Sequence, residues 1–229
     1  LVVGYKRERI QSYFENGDDW GVEIEYAVQG KQLGTGHAIL QAEGLIDDDF
    51  LVLNGDRIID TSLVERFVDI ECGGDAYLAV SRVDAPERYG VVELDGERVT
   101  TFTEKPTRER VASDLINAGV YCFSPNIFPA IRATETAGTG ELAITDTLQG
   151  FIDDDQLNAV RYDGRWLDVS YLWDIVWVNA EVIDRGGPWI DDTATLHDSA
   201  AVSERTAIGY ASVVEPNATL LGGTAIGDN

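Results

Sequence analysis

The sequence is poor in positive charge. Its 229 residues include 17 Lys and Arg, of which only three are Lys, against 41 Asp and Glu, and the formal net charge is −24. A nucleic-acid-binding surface needs clustered basic residues, so this composition excludes nucleic acid as a partner. The acidic residues are scattered rather than pooled in one tail. Scattered acidity with few lysines is typical of proteins from salt-loving organisms, in which salt screens the repulsion; an ordinary acidic protein is the alternative.

Long apolar runs, cysteine and methionine are also scarce. No run approaches the roughly 18 apolar residues that span a membrane, and no signal peptide opens the chain, so we expect a cytoplasmic protein without a membrane partner. Cys72 and Cys122 each lie in or beside an apolar stretch, without the neighbours of a metal site, which predicts reduced core thiols. The chain has no Met, even at position 1, which favours a fragment of a longer protein.

Strand and helix patterns alternate along residues 1–187. Continuous apolar runs read as buried strands, as at 50–54 and 115–123, and segment 6–16 reads as a helix that buries one face. A capping-box pattern from Ser62 predicts the start of another helix. Alternating strands and helices predict an α/β domain with a doubly wound, mostly parallel sheet.

A different period begins after Gly186-Gly187-Pro188. Aliphatic residues then fall at every sixth position, and a period of six fits neither an α-helix nor a single strand. It is typical of a hexapeptide β-helix, in which each flat side of a triangular coil points one aliphatic residue inward. We expect residues 188–229 to form an incomplete left-handed β-helix beside the domain of residues 1–187. The aliphatic positions are Ile190, Leu196, Val202, Ile208, Val214, Leu220 and Ile226.

Four stretches carry residues suited to chemistry. Around Gln29, Gly34 and Thr35 a strand end meets a helix start, where free backbone N–H groups favour anions and glycines let a base or phosphate approach. A tight strand–helix turn is the alternative. Asp56 and Asp168 each end a strand, where open α/β sheets bind ligands and a hard cation finds oxygen ligands. Turn aspartates are the alternative there.

The fourth stretch, Glu104-Lys105-Pro106, also ends a strand. A carboxylate there can grip sugar hydroxyls and an ammonium can hold a phosphate. A solvated ion pair is the alternative.

Taken together and in chain order, these segments resemble the sugar-1-phosphate nucleotidylyltransferases. The sequence is similar to glucose-1-phosphate thymidylyl- and uridylyltransferases and to bifunctional sugar-phosphate nucleotidylyltransferase/acetyltransferases, over about residues 1–185. The hexapeptide repeat is the usual C-terminal companion in this family. The matching motifs are Gln-Leu-Gly-Thr-Gly-His-Ala at 32–38, Asn-Gly-Asp at 54–56, Glu-Lys-Pro at 104–106, Asn-Ala-Gly at 117–119, Gly-Glu-Leu with Ile-Thr-Asp at 140–146, and Trp-Leu-Asp at 166–168.

The resemblance implies transfer of a nucleotidyl group from UTP or dTTP to a sugar-1-phosphate, with release of pyrophosphate. It implies Mg²⁺ as the cofactor, held by Asp56 and Asp168, and a protein that supplies position and charge neutralisation. The pyrimidine base would be read by Gln29 and the backbone of Gly34 and Thr35. The residues implied for the sugar-phosphate site are Gly90, Glu104, Lys105 and Asn117, with Lys105 holding the phosphate. The implied catalytic residues are Lys105, Asp56 and Asp168.

One departure from the family is large. The family begins with a strand and a Gly-rich loop that cradle the triphosphate, and the sequence has no such segment, so we expect a truncated and impaired chain. The alternatives are a non-catalytic relative that binds nucleotide sugars and an acetyltransferase in a longer β-helix. The second needs a basic His facing a cleft, and the candidate is His197, which we read as a surface residue. The repeat is then an oligomerisation module, and we expect a homo-oligomer.

Overall fold

The structure, a computed structural model, describes residues 1–136, 140–186 and 189–229. The helices are α1 (Arg7–Phe14), α2 (Thr35–Leu40), α3 (Thr61–Val68), α4 (Ile127–Ala133), α5 (Ile144–Asp153) and α6 (Asp174–Gly186). The strands before α6 are β1 (Val2–Val3), β2 (Ala27–Val28), β3 (Phe50–Leu53), β4 (Arg57–Ile59), β5 (Ala76–Arg82), β6 (Gly90–Asp95), β7 (Arg98–Glu104), β8 (Leu115–Phe123), β9 (Leu157–Arg161) and β10 (Trp166–Asp168). The short C-terminal strands are β11 (Trp189–Ile190), β12 (Thr195–Leu196), β13 (Ala201–Val202), β14 (Thr206–Ile208), β15 (Val213–Val214), β16 (Thr219–Leu220) and β17 (Thr224–Ile226).

The chain divides into two compact units. The first contains residues 1–55 and 59–166, and the second contains residues 56–58 and 167–229. The predicted boundary between residues 187 and 188 lies outside the described residues and stays a prediction. No helix in the described ranges is both long and apolar enough to cross a membrane.

A six-stranded sheet in the order β3-β8-β5-β9-β7-β6 forms the frame of the first unit. β8 runs antiparallel to β3 and β5, and β7 runs antiparallel to β6 and β9. Within the described residues, β5 and β9 form the sheet's one parallel pair. The prediction of a mostly parallel sheet is therefore wrong. Alternation along the sequence predicts which elements occur, but it does not predict that β8 inserts between two strands of the opposite direction.

Helices cover both faces of this sheet. Successive side chains of a strand point to opposite faces, and the two buried clusters follow that alternation. Leu78 and Val80 of β5 pack in the larger cluster with residues of α2, α4 and α5. Ala79 between them packs in the smaller cluster with Leu63 and Phe67 of α3. The smaller cluster also holds the two cysteines, which are buried free thiols as expected.

Two helices differ from their sequence-based predictions. α1 buries none of its residues, so the expected buried face is wrong. Its aromatic residues Tyr13 and Phe14 instead contact Trp20, with ring centroids 5.6 and 5.4 Å away. α3 starts at Thr61 after Asp60, before the capping box predicted from Ser62. The helical spacing of apolar residues in a short segment predicts a helix, but it does not predict which residues pack against that helix.

The C-terminal part of the second unit is a stack of short parallel strands. Strands separated by 18 residues pair in register: β11 with β14 and β14 with β17, β12 with β15, and β13 with β16. Aliphatic positions 18 residues apart thus lie side by side in the stack, as Ile190, Ile208 and Ile226 do. Ile208 and Val214 are buried. The hexapeptide left-handed β-helix stays a prediction.

Candidate functional site

Gln29 is tied into the turn that follows it. Its side-chain Nε2 donates to the carbonyl oxygen of Gly34 at 3.1 Å and lies 3.0 Å from Nδ1 of His37. A carbonyl oxygen only accepts hydrogen bonds, so the contact with Gly34 fixes the amide with its nitrogen toward the turn. The predicted base reader Gln29 is therefore held against Gly34 by a hydrogen bond.

The same turn packs against the segment at 140–146. The carbonyl of Leu142 accepts hydrogen bonds from the N–H groups of Gly36 (2.9 Å) and His37 (3.3 Å), and Ile144 N–H donates to Thr35 Oγ1 (2.9 Å). The expectation of free N–H groups at the start of α2 is wrong for these two residues, because the Leu142 carbonyl takes them. Two motifs more than one hundred positions apart thus form one local structure.

The backbone conformation of Gly34 explains its place in this turn. Its φ is 101°, and a Cβ there would lie 2.4 Å from the carbonyl oxygen of Leu142. A positive φ disfavours other residues, and the close approach of Leu142 leaves no room for a side chain.

A cavity of about 520 Å³ opens beside this turn. It is lined by Thr35 and Ile39 of α2, by β3 with Asn54 after it, and by Tyr121 of β8. Its volume lies in the range of small-molecule sites. A larger cavity of about 1090 Å³ lies against α4 and α5, and none of the predicted site residues lines it.

The four residues predicted for the sugar phosphate lie on neighbouring strands. Gly90 pairs with Glu104 across β6 and β7, and β6 also contacts β8 at Ile116, the residue before Asn117. Lys105 N–H donates to the carbonyl of Tyr89 at 3.0 Å. Gly90, Glu104 and Lys105 thus lie at one end of the β6–β7 pair, and Asn117 lies in β8, one residue after its contact with β6.

Glu104 and Lys105 are the exposed members of this group. Lys105 Nζ lies 4.0 Å from Glu104 Oε1, and both side chains are more than half exposed. An exposed pair at this separation contributes little to stability, so both groups can turn toward a ligand at small cost. Gly90 has no room for a side chain, because a Cβ there would meet the Phe102 ring and lie 3.0 Å from Glu104 Oε2.

Asn117 has a structural task of its own. Its Nδ2 donates to the hydroxyl of Tyr121 at 2.7 Å, and its Oδ1 accepts from Gly119 N–H at 3.0 Å. Gly119 has a φ of 76° and its carbonyl accepts from Asn54 N–H at 2.9 Å. The motifs at 54–56 and 117–119 are therefore in direct contact.

The two predicted metal ligands share one partner, Arg57. Its Nη1 forms an ion pair with Asp168 Oδ1 and lies 3.2 Å from Asp56 Oδ2. Asp168 also accepts from Ser170 Oγ, at 2.9 and 3.0 Å for its two oxygens. The Asp168 and Arg57 side chains are mostly buried, whereas Asp56 is half exposed. One positive charge thus lies between the two carboxylates.

This arrangement fits a divalent cation. Small hard cations take one or two protein carboxylates and complete their coordination with waters and substrate phosphates. Asp56 and Asp168 offer two carboxylates around one cationic nitrogen, which marks a position of favourable potential for positive charge. No cluster of three or more potential metal ligands occurs among the described residues, so a cation here would need ligands beyond the protein.

The predicted site residues fall into three groups. Gly90, Glu104, Lys105 and Asn117 form one group, and Gln29, Gly34 and Thr35 form another, both in the first unit. Asp56 and Asp168 belong to the second unit. Sequence reasoning missed three contacting residues: His37, which lies inside a quoted motif; Arg57, which directly follows Asp56; and Leu142, which acts through its backbone and leaves no side-chain signal.

His197 is exposed. Its Nδ1 lies 2.9 Å from Ser199 Oγ and 3.1 Å from Ser199 N, within a turn of the strand stack. These contacts agree with the reading of His197 as a surface residue.

Comparison with known proteins supports the resemblance seen in the sequence. The model of the family described as Nucleotidyl transferase matches residues 1–185. The bifunctional protein GlmU of Methanococcus maripaludis strain C7 is 39% identical over 186 residues, which cover 81% of this chain and 43% of that protein. The low-salt glycan biosynthesis nucleotidyltransferase Agl11 of Haloferax volcanii is 34% identical over 210 residues, which cover 90% of this chain and 58% of that protein.

A solved structure shares the fold. A Bacillus anthracis protein, described as a glucose-1-phosphate thymidylyltransferase in complex with sucrose, superimposes with a TM-score of 0.69 at 26% identity. The match covers 79% of this chain and 74% of that chain. This chain spans about half the length of the curated relatives that it matches. Since the family model covers most of the residues and the six motifs occur in order, the chain belongs to the nucleotidyl transferase family.

Proposed function

We propose that the protein transfers a nucleotidyl group from UTP or dTTP to a sugar-1-phosphate, forming a nucleoside-diphosphate sugar and pyrophosphate. The observation that carries this proposal is the convergence of Asp56 and Asp168 on one cationic nitrogen, in a chain of the nucleotidyl transferase family. Enzymes of this family generally use a divalent metal ion, and we propose Mg²⁺ for this one.

In the proposed reaction, a phosphate oxygen of the sugar-1-phosphate attacks the α-phosphorus of the nucleotide. A new P–O bond forms as the bond to the β-phosphate oxygen breaks, and pyrophosphate leaves with the electron pair. Asp56 and Asp168 would hold Mg²⁺, which lowers the charge repulsion on the phosphates. The remaining work of the protein is to position the two substrates and to neutralise charge.

Lys105 is the proposed partner of the sugar phosphate. Its ammonium is exposed, its backbone is fixed by the hydrogen bond to Tyr89, and its φ is 42°. The neighbouring Glu104 can accept hydrogen bonds from sugar hydroxyls, and Asn117 lies on β8, which contacts β6. A cation beside hydroxyl acceptors suits a phosphorylated sugar.

The orientation of Gln29 supports a uracil or thymine base. Because Gly34 and His37 engage Nε2, the acceptor Oε1 is the amide atom that we propose contacts the base. The N3–H of uracil and thymine is a donor, whereas N3 of cytosine is an acceptor. We therefore propose that the site accepts UTP or dTTP and discriminates against CTP.

The remaining proposals concern the whole protein. We propose that residues 188–229 form the start of a left-handed β-helix that follows a nucleotidyl transferase domain at 1–187. The repeat would join copies of the chain into a homo-oligomer, and the protein would act in the cytoplasm.

Pyrophosphate release tests the proposed reaction. The protein in the full length that its gene encodes is incubated with Mg²⁺, with UTP or dTTP, and with glucose-, glucosamine- or N-acetylglucosamine-1-phosphate. We expect turnover with at least one pair, and a loss of about 100-fold or more in Asp168→Asn. Asp163→Asn, an exposed aspartate five residues away, is the matched control and should keep its activity. If no combination of nucleotide and sugar-1-phosphate gives turnover, the result would favour a non-catalytic relative that binds nucleotide sugars.

A further inference from the structure

We propose that Arg57 competes with the divalent cation for Asp168, so that it sets how much cation the protein needs. The inference rests on the proposed divalent site at Asp56 and Asp168. It adds a residue that neither the motifs nor the family comparison singles out. In this view the guanidinium holds the two carboxylates in place and must release Asp168 as a cation binds.

The hydrogen bonds of Asp168 support the competition. Its Oδ1 accepts from Arg57 and from Ser170, and its Oδ2 accepts from Ser170. The Asp168 oxygen that contacts the shared Arg57 nitrogen is therefore already engaged by a charged donor. A cation that takes both carboxylates has to replace this charge-assisted bond, which is among the stronger kinds of hydrogen bond.

The burial of the pair makes the competition matter. The Arg57 and Asp168 side chains are 15% and 13% exposed, so water and salt screen their attraction less than that of a surface pair. Arg57 is the first residue of β4. The residue before it, Asp56, accepts a hydrogen bond at its carbonyl oxygen from the N–H of Val169 (3.0 Å), which follows β10 and so links the two strands. The guanidinium therefore stays close to the site after releasing Asp168, and its charge opposes the incoming cation.

A purely structural ion pair is the competing explanation. In that case loss of Arg57 would lower the stability of the protein but leave its cation affinity unchanged. Cation affinity, measured directly rather than through turnover, separates the two explanations.

Binding of Mn²⁺ to the full-length protein provides the test. Free Mn²⁺ is measured by electron paramagnetic resonance at constant ionic strength, with no nucleotide present. Arg57→Gln should bind Mn²⁺ about tenfold more tightly than the wild type, because a positive charge a few ångströms away is removed. Arg82→Gln, which removes an exposed arginine paired with Asp114 at 2.9 Å, changes the net charge equally and should leave the affinity unchanged.

Mn²⁺ binding to Asp168→Asn measures how much of the binding is nonspecific attraction to the acidic surface. If Asp168→Asn binds Mn²⁺ like the wild type, the proposed metal site itself fails. If it loses binding while Arg57→Gln is no tighter than the wild type, the metal site stands and the competition is overturned.

A measurement on the wild type guards against a variant that does not fold. The ¹⁵N Nε–H signal of Arg57, assigned with Arg57→Lys, is followed during Mg²⁺ titration. Release from Asp168 predicts a shift of this signal that saturates together with cation binding. A signal that stays in place at saturating Mg²⁺ would contradict the proposal.

Discussion

Gly34 allows a residue-scale test of the turn that carries the predicted base reader. Gly34→Ala should lower the free energy of unfolding by about 2 to 3 kcal/mol, because the positive φ strains alanine and its Cβ would meet the Leu142 carbonyl at 2.4 Å. Denaturant unfolding measures the change. Gly44→Ala is the matched control: nothing lies within 4 Å of its Cβ position, so the change should stay within about 1 kcal/mol. Equal effects of the two substitutions would contradict the conformation described for Gly34.

The two thiols allow a second residue-scale prediction. Their Sγ atoms lie 2.9 Å apart in the core. Burial raises the pKa of both, and the hydrogen bond with Cys122 raises the pKa of Cys72 further. In the folded protein at pH 8 we expect no reaction with Ellman's reagent, and two reactive thiols per chain in denaturant. Rapid labelling of the folded protein would contradict the buried placement.

Because of the raised pKa values, the contribution of these thiols to the stability of the protein depends on pH. An unfolded thiol ionises near about pH 8.5, and both folded-state pKa values lie above their usual range. Their contribution to stability is therefore complete below about pH 8.5 and is lost as pH rises through the folded-state pKa values.

At the scale of single elements, the sequence predicted features that neighbouring residues decide, but it did not predict which strands pair. An Asp-Gly pair such as Asp95-Gly96 predicts a hairpin turn, and Gly96 and Glu97 form the turn between β6 and β7, with Gly96 at a φ of 65°, because two adjacent residues decide such a turn. The antiparallel insertion of β8 was not predictable, since it depends on which strands meet in space. The carbonyl of Leu142 escaped prediction for a related reason: backbone groups look alike in every sequence.

The stack of short strands permits an element-scale test with a matched pair. Val214 is 4% exposed and Val213, beside it in β15, is 58% exposed. Val214→Ala should lower the free energy of unfolding of the second unit by about 1 to 3 kcal/mol, through lost burial and a cavity. Val213→Ala should change it by less than about 0.5 kcal/mol. Circular dichroism during denaturant unfolding measures both, and similar losses would argue against an inward-facing Val214.

The charge of the whole molecule predicts a dependence on salt. With a formal net charge of −24, like charges repel throughout the folded chain, and ions screen this repulsion. Raising KCl from about 0.1 M to about 2 M should increase the free energy of unfolding by about 2 kcal/mol or more, measured from the denaturant midpoint. Sucrose at the same osmolality should stabilise less, since it does not screen charge. A denaturant midpoint that does not change with KCl would contradict the prediction of a protein adapted to high salt.

The bond between Leu142 and the turn at Gly36 and His37 has a consequence for biosynthesis. The ribosome makes this turn more than one hundred residues before the carbonyl that receives its two N–H groups. Until Leu142 has left the exit tunnel, the nascent turn lacks its acceptor, and distant closures of this kind come late in folding. The turn predicted to read the base therefore reaches its final geometry only after Leu142 has been synthesised.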